Sequence, residues 1–318
     1  MANSGSPVSL AASTPARRPR GLFRQGLKVW HLYAFIAPSF LLLLAFEYYP
    51  AALAIFHAFT EWNGTGSWTW TGLDNFRQLS QDFAFVLSLR NMAILLAWQL
   101  FRAMTVPLIF AELIYNFPHQ RAQYWFRFLL VIPLVIPAVV ESLVWRFFLN
   151  PPPLGLINMI LGSLGLKSLE HAWLGDPHLA LFGLMFTGFP WVLPIAMLIY
   201  YAGLQGMPDS IIDASRIDGA STLRRIFSVD IPLISGQMKL IFILNIIGGI
   251  QDFAWILIIT NGGPGYATLV PALYMYDTAF SSGEFGYGSA IGLVLFLIIF
   301  VLTVTNNRFI RTNAAVDG

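Results

Sequence analysis

Long unbroken apolar runs, rather than alternating apolar and polar positions, dominate the chain. Those extended enough to cross a bilayer are His31–Phe56, Met92–Ile114, Phe128–Leu149, Leu179–Ala202, Leu240–Ile259 and Ala290–Val304. Crossing the hydrocarbon takes about 20 helical residues. Inside lipid the backbone must bond to itself, so only helices and closed barrels span it. Barrel strands alternate and these runs do not. The expected fold is therefore all-α: a polytopic membrane protein with six transmembrane helices. Pro133 and Pro137 fall in the third run, Pro190 and Pro194 in the fourth. Each removes a backbone donor and predicts a kink. The first run is too long for the core of a cleaved signal, and no small-residue cleavage site follows it. It is read as a retained span.

One segment between the fourth and fifth runs, Leu204–Gln237, breaks the pattern. It is amphipathic and basic. Pro208 suits a first helical turn, and Asp209 suits the positive end of a helix dipole. Ile211, Ile212, Ser215 and Ile217 follow. Gly219 supplies a conformation that other residues resist. A second short helix is expected over Ala220–Ser228, with Pro232 ending the segment. On pattern alone this is a helix–turn–helix on the membrane surface, either a plain joining loop or a functional element.

Charge sets the orientation. With a cytoplasmic N-terminus, Arg17, Arg18, Arg20, Arg24, Lys28, Arg121, Arg127, Arg216, Arg224, Arg225, Lys239, Arg308 and Arg311 lie inside. Only Arg77 and Lys167 lie in outside loops. The excess of basic residues on cytoplasmic loops places both termini in the cytoplasm. Trp62, Trp68, Trp70 and Trp173 fall outside, where they serve an interfacial belt, stack on sugar or dock an outside partner.

Composition agrees. The chain is 57% hydrophobic and 11% charged, against about 25% charged in soluble domains. It contains no cysteine, so disulfides and thiolate metal sites are ruled out. A net charge of +2 is too small to suggest nucleic acid. There is no phosphate-binding GxxxxGK[ST] loop and no HExxH motif. No catalytic residue, metal site, cofactor or ATP site is expected.

Polar residues inside spans are costly and often functional. They include Gln99, Arg102 and Glu112 in the second run, Glu141 in the third, and Asn245, Gln251 and Asp252 in the fifth. Asn245 and Asp252 are seven residues apart and would share a helix face. With Gln251, Trp255 and Arg102 they are the candidate lining of a substrate path. The competing role is hydrogen bonding between helices. Arg102 is expected to pair with Glu112 or another span, or to meet an acidic sugar.

The Leu204–Gln237 segment resembles the EAA loop of binding-protein-dependent ABC importers. That pattern is Glu-Ala-Ala, three residues, Gly, nine residues, then Ile-x-Leu-Pro. Here Asp213-Ala214-Ser215 takes the first triplet, Gly219 the glycine, and Val229-Asp230-Ile231-Pro232 the last block. The spacing is kept, and Asp replaces Glu. Further stretches resemble carbohydrate permeases: Trp70-Thr71-Gly72-Leu73-Asp74-Asn75-Phe76, Leu89-Arg90-Asn91, Gly155-Leu156-Ile157-Asn158, and Thr260-Asn261-Gly262-Gly263-Pro264-Gly265. The last is similar to the loop after span five in the first permease of maltose/glycerol-phosphate-type pairs.

The resemblance implies a type I ABC importer permease in a bacterial cell membrane, with a tail at 1–28, a six-span permease domain at 29–312 and a tail at 313–318. Its coupling loop, 204–236, would dock on the ATPase through Asp213, Ala214, Ser215, Gly219 and Pro232, with Arg216, Arg224 and Arg225 as a charged rim or as membrane anchors. The implied partners are a second homologous permease forming a heterodimer, a cytoplasmic ATPase dimer, an extracytoplasmic sugar-binding protein and a carbohydrate. A secondary transporter or channel for a small polar solute is the alternative. It would more often show internal repeats of spans, and none is detected.

Overall fold

The structure, a computed structural model, describes residues 30–309. The expected tails, 1–28 and 313–318, lie outside the described residues. The chain divides into two compact units, one ending at Leu53 and the other beginning at Ala54.

The first unit carries most of helix α1 (Trp30–His57), whose side chains from Trp30 to Phe56 are all exposed. One wide turn, Leu44–Tyr48, interrupts its regular bonding, with the Tyr49 N–H reaching back to Leu44 O. An apolar helix with nothing buried from Trp30 to Phe56 matches the composition of a lipid-facing span.

In the second unit a two-stranded hairpin, β1 (Thr60–Glu61) with β2 (Thr69–Trp70), precedes a short helix α2 (Asp74–Gln81). The central element is α3 (Phe83–Tyr115), 33 residues long. It begins nine residues before the apolar run because Asp82 caps it: the carboxylate accepts from the N–H groups of Ala84 and Phe85 at 2.9 and 3.2 Å. Hydropathy sees the apolar stretch, whereas the cap decides where the helix starts.

The third run becomes α4 (Gln120–Val131), a tight turn at Ile132–Val135, and α5 (Ala138–Phe148). The two parts meet at 91°, at Pro133 and Pro137. A short helix α6 (Leu156–Ser163) follows. The fourth run splits into α7 (Ala180–Phe186) and α8 (Pro194–Gln205). Between them Trp191 and Leu193 adopt left-handed backbone, and Pro194 opens the second piece. Next come α9 (Asp209–Ile217) and α10 (Thr222–Leu233).

The fifth run is α11 (Ser235–Gln251), set at 69° to α10, then α12 (Ala254–Ile259). The chain closes with α13 (Pro271–Tyr276) and α14 (Phe285–Phe309). Among the described residues three helices are long and apolar enough to cross a membrane unbroken, and up to five crossings result if each bent pair is one span. The fourth run is helical at both ends of its break.

Two buried clusters hold this unit together. One gathers Phe85, Met92, Leu95, Leu184, Ile250, Ile256, Leu273 and Ile291 near the start of α3. The other joins Leu108, Ile114, Met197, Tyr200, Leu204, Ile212, Ile234 and Ile241 near its end. Three motif asparagines staple loops. Asn75 donates to the carbonyls of Ala58 and Thr60, both at 3.0 Å. Asn91 donates to Tyr266 O and Leu269 O at 2.9 and 3.0 Å, fixing the glycine-rich loop against α3. Asn158 donates to Asn150 O and His171 O and accepts from His171 N and Trp173 Nε1. Sequence stretches quoted separately are thus bonded loop-fixing sites.

Candidate functional site

The segment after α8 builds a compact helix–turn–helix. Pro208, with extended backbone, occupies the cap position of α9 rather than its first turn. Ile212 and Ser215 turn inward, and Ile212 belongs to the second buried cluster. Ser215 Oγ donates to Ile212 O at 2.6 Å. Asp213, Ala214, Arg216 and Ile217 turn outward. Asp213 and Arg216 pair at 3.1 Å on the exposed face.

Gly219 has φ +71°. Its N–H donates to Arg216 O and that of Ala220 to Ser215 O, both at 3.0 Å. These two bonds form a Schellman closure, which requires a left-handed residue at the glycine position. Ser221 immediately caps α10, accepting from Arg224 N at 3.4 Å. The second helix therefore starts at Thr222 rather than Ala220 and continues past Ser228 to Leu233. Pro232 is exposed in its last turn, one residue before the helix ends. A wide turn at Ile226–Asp230 lies just before it. The interruption of regular bonding there accommodates a residue with no N–H to give.

Arg225 is buried, not part of an exposed rim. Its Nε donates to Asp230 Oδ2 at 3.1 Å, and its Nη2 donates to Asn116 Oδ1. Asn116 follows α3 and donates to Glu112 Oε2 at 3.0 Å and Glu112 O at 2.9 Å. A cleft of about 550 Å³ lies alongside, lined by Asn116, Phe117, Asp209, Asp213, Arg216 and Arg225. The network escaped the sequence reading because its members are 109 or more positions apart across the α3 and α10 segments, except for the short steps within each.

The expected substrate-path residues are not brought together. Asn245 accepts from Gln99 Nε2 at 3.3 Å and donates to Ile241 O at 2.8 Å, which joins α11 to α3. Asp252 does not share a helix with Asn245: α11 stops at Gln251, and Asp252 is extended. Its carboxylate instead accepts from Ala254 N at 3.3 Å, at the start of α12. Gln251 and Asp252 are exposed and Trp255 is half-buried. Arg102 does not meet Glu112. Ten residues of helix, about 15 Å, separate them. Arg102 faces Glu141 instead: a side chain at Gly188 would lie 3.7 Å from Arg102 Nη1 and 3.8 Å from Glu141 Oε1. Beside this pair the break in the fourth run gathers rings that the sequence reading passed over. Trp191 lies 5.3 Å from Trp98, 5.0 Å from Phe189 and 6.2 Å from Phe186, between ring centroids. The prolines flanking those aromatics were the available signal.

Comparison with known proteins places this geometry. The family described as binding-protein-dependent transport system inner membrane component matches residues 103–312. The diacetylchitobiose uptake system permease protein NgcF of Streptomyces coelicolor is 28% identical over 309 residues, covering 91% of this chain and 87% of the relative. The sn-glycerol-3-phosphate transport system permease protein UgpA of Escherichia coli O157:H7 is 28% identical over 285 residues, covering 89% and 95%. A chain in the crystal structure of a bacterial ABC transporter involved in the import of the acidic polysaccharide alginate superposes with a TM-score of 0.80 at 20% identity, over 93% of this chain and all of that one. That likeness shows the fold, and the all-α ABC-importer-permease architecture stands. With more than half its length matched, the chain belongs to the family of inner membrane components of binding-protein-dependent transport systems.

Proposed function

We propose that this chain is the first of two different permease subunits in an ATP-driven carbohydrate importer of a bacterial inner membrane. A second permease completes the path, an extracytoplasmic binding protein delivers the sugar, and a cytoplasmic ATPase dimer drives transport. Residues 29–312 form the permease domain, and both termini are cytoplasmic. The chain itself hydrolyses nothing.

One observation carries the coupling role. The pair α9–α10 is anchored through Ile212 in the core but presents Ile217, Leu223 and Phe227 outward, at 86%, 69% and 69% exposure. These flank the charged pair Asp213–Arg216. Exposed apolar residues rimmed by charge suit a protein partner. A partner gripping that face would pull on the buried cluster that Ile212 shares with residues of α3, α8 and α11, because packed elements carry displacement. Asp213, Ala214, Ser215, Gly219 and Pro232 are the coupling positions.

For the substrate, the names of NgcF and of the alginate transporter favour carbohydrate, and that of UgpA keeps glycerol-phosphate within the class. Arg102, Gln251, Asp252 and Trp255 remain path candidates, with the Trp98–Trp191 group supplying ring faces for sugar. Asn245 serves the helix contact.

Reconstitution into proteoliposomes tests the reading. Uptake should require all four kinds of subunit and ATP, and Asp213→Lys should abolish uptake while insertion persists. Uptake by this chain alone, driven by an ion gradient, would establish the secondary-transporter alternative and overturn the proposal.

A further inference from the structure

We propose that Glu112, Asn116, Arg225 and Asp230 form a polar strut, buried except at the exposed Asn116, that transmits displacement of the coupling loop to α3. The proposal rests on the coupling reading above and names the residues that position the moving parts; none of them touches substrate.

The connectivity is the first argument. A single guanidinium bridges two elements: Nε holds Asp230 within the α10 segment, and Nη2 holds Asn116 beyond the end of α3. Asn116 returns to the last turn of α3 through both the carboxylate and the backbone carbonyl of Glu112. The path from loop to span is therefore unbroken hydrogen bonding. The planar fork of arginine suits this, because its donors point in fixed directions and one group serves two acceptors. A lysine ammonium is a point charge and does not reproduce it.

Burial is the second argument. Arg225 is 7% exposed, Glu112 5% and Asp230 0%. Burying charges costs several kcal/mol per ion, and well-packed apolar residues are often as stable or more so. Among the described residues the Oε1 of Glu112 and the Oδ1 of Asp230 have no hydrogen-bond partner, so hydrogen bonding within the chain does not fully offset the cost of burying them. The gain of the arrangement is geometric. Apolar contacts are non-directional and slide, whereas hydrogen bonds hold length and angle. Ile212 already supplies the apolar anchor for α9. The strut adds a fixed linkage for α10, which no other side-chain hydrogen bond among the described residues ties to α3.

The test uses the complete transporter in proteoliposomes, reading co-purification of the ATPase, ATP hydrolysis and sugar uptake separately. Asn116→Leu removes the bridge without leaving a new buried charge, and Arg225→Lys keeps the charge but loses the fork. Both should retain the ATPase and its hydrolysis while uptake per ATP falls about tenfold, within the range typical of coupling between sites. Glu112→Gln keeps an acceptor for Asn116 and should transport like wild type, whereas Glu112→Leu should uncouple.

Wild-type uptake per ATP in Asn116→Leu would overturn the strut. So would a parallel fall of hydrolysis and uptake in both Asn116→Leu and Arg225→Lys, which marks a merely structural role. If Asn116→Leu alone fails to assemble, Arg225→Lys decides. Failure of the wild-type chain to retain the ATPase would instead sink the coupling reading itself.

Discussion

The replacement of Gly219 isolates backbone conformation from contact. Its φ of +71° lies in the left-handed region, and a Cβ built there meets nothing within 4 Å. Gly219→Ala therefore adds no clash. The whole effect is the penalty of holding an L-residue in that region, about 1–2 kcal/mol. The residue closes α9 through two 3.0 Å bonds, and Ser221 caps α10 two positions later. The strain therefore acts directly on the angle between the helices. A penalty of that size lowers the population of the observed turn about five- to thirtyfold against competing turns, and coupled uptake should fall within that range. Asparagine tolerates the left-handed region better, so Gly219→Asn should fall between alanine and wild type. Gly206→Ala is the control in the same segment. Gly206 has φ −80°, and a Cβ there would make ordinary 3.5 Å contacts. ATP-driven uptake in proteoliposomes measures the series. Equal rates for Gly219→Ala and wild type, or a Gly206→Ala defect as large as that of Gly219→Ala, would refute the reasoning.

Two further changes probe side chains outside the coupling loop. Asn158→Ala deletes four hydrogen bonds at a side chain that is 2% exposed. It should cost about 2–4 kcal/mol, read as a lowered Tm in detergent; an unchanged Tm would show that the loops around Asn150 and His171 are held by other contacts. Asp82 caps α3 and accepts from the hydroxyls of Tyr274 and Tyr287. Burial pushes its carboxyl up, but the two tyrosines and the amides of Phe85 and Ala84 outweigh that and hold it below its ordinary value. A lowered carboxyl adds stability that is present above its unfolded pKa, about 4, and is lost as pH falls through the folded value. Asp82→Ala should destabilise at neutral pH by about 1 kcal/mol or more for the cap alone, and the gap from wild type should narrow below pH of about 4. A gap independent of pH would remove the charge from the account.

The apolar runs were legible because lipid demands long continuous helices. The breaks were legible in part: Pro133, Pro137, Pro190 and Pro194 each mark one. Helix limits were less so, since α3 starts at a carboxylate cap that hydropathy does not register. In the loop, the spacing from Asp213 to Pro232 placed the helix pair, and Gly219 sits in the conformation its identity suggested. Pro232 marked the end of the segment to within one residue, since α10 stops at Leu233 and α11 leaves at 69°. Side-chain partners were the least legible. Asn245 and Asp252 were placed on one face by counting, but counting assumes an unbroken helix, and α11 ends at Gln251. Arg225 looked like one basic residue among several on a charged loop. Only the fold sets it beside Asn116, which lies 109 positions earlier.

The chemistry differs at the two ends of α3, and the difference bears on motion. At the Phe83 end, Asp82 and Asn91 bond to tyrosine hydroxyls and loop carbonyls, a set of local ties that keep the start of the helix in place. At the Tyr115 end the ties run instead to α10 through the buried network of Arg225. A helix of 33 residues is about 50 Å long. On the proposed reading, a shift of α9 and α10 enters at the Tyr115 end while the Asp82 end stays pinned. Displacement then grows along α3 from the pinned end, so its middle, where Gln99 contacts Asn245 and Arg102 faces Glu141, moves part of the way. Arg102 and Glu141 also lie beside the break in the fourth run, at Gly188. A lever pinned at one end and driven at the other would move the candidate path without unfolding either cluster, because Phe85 and Met92 stay with the pinned end and Leu108 and Ile114 travel with the loop.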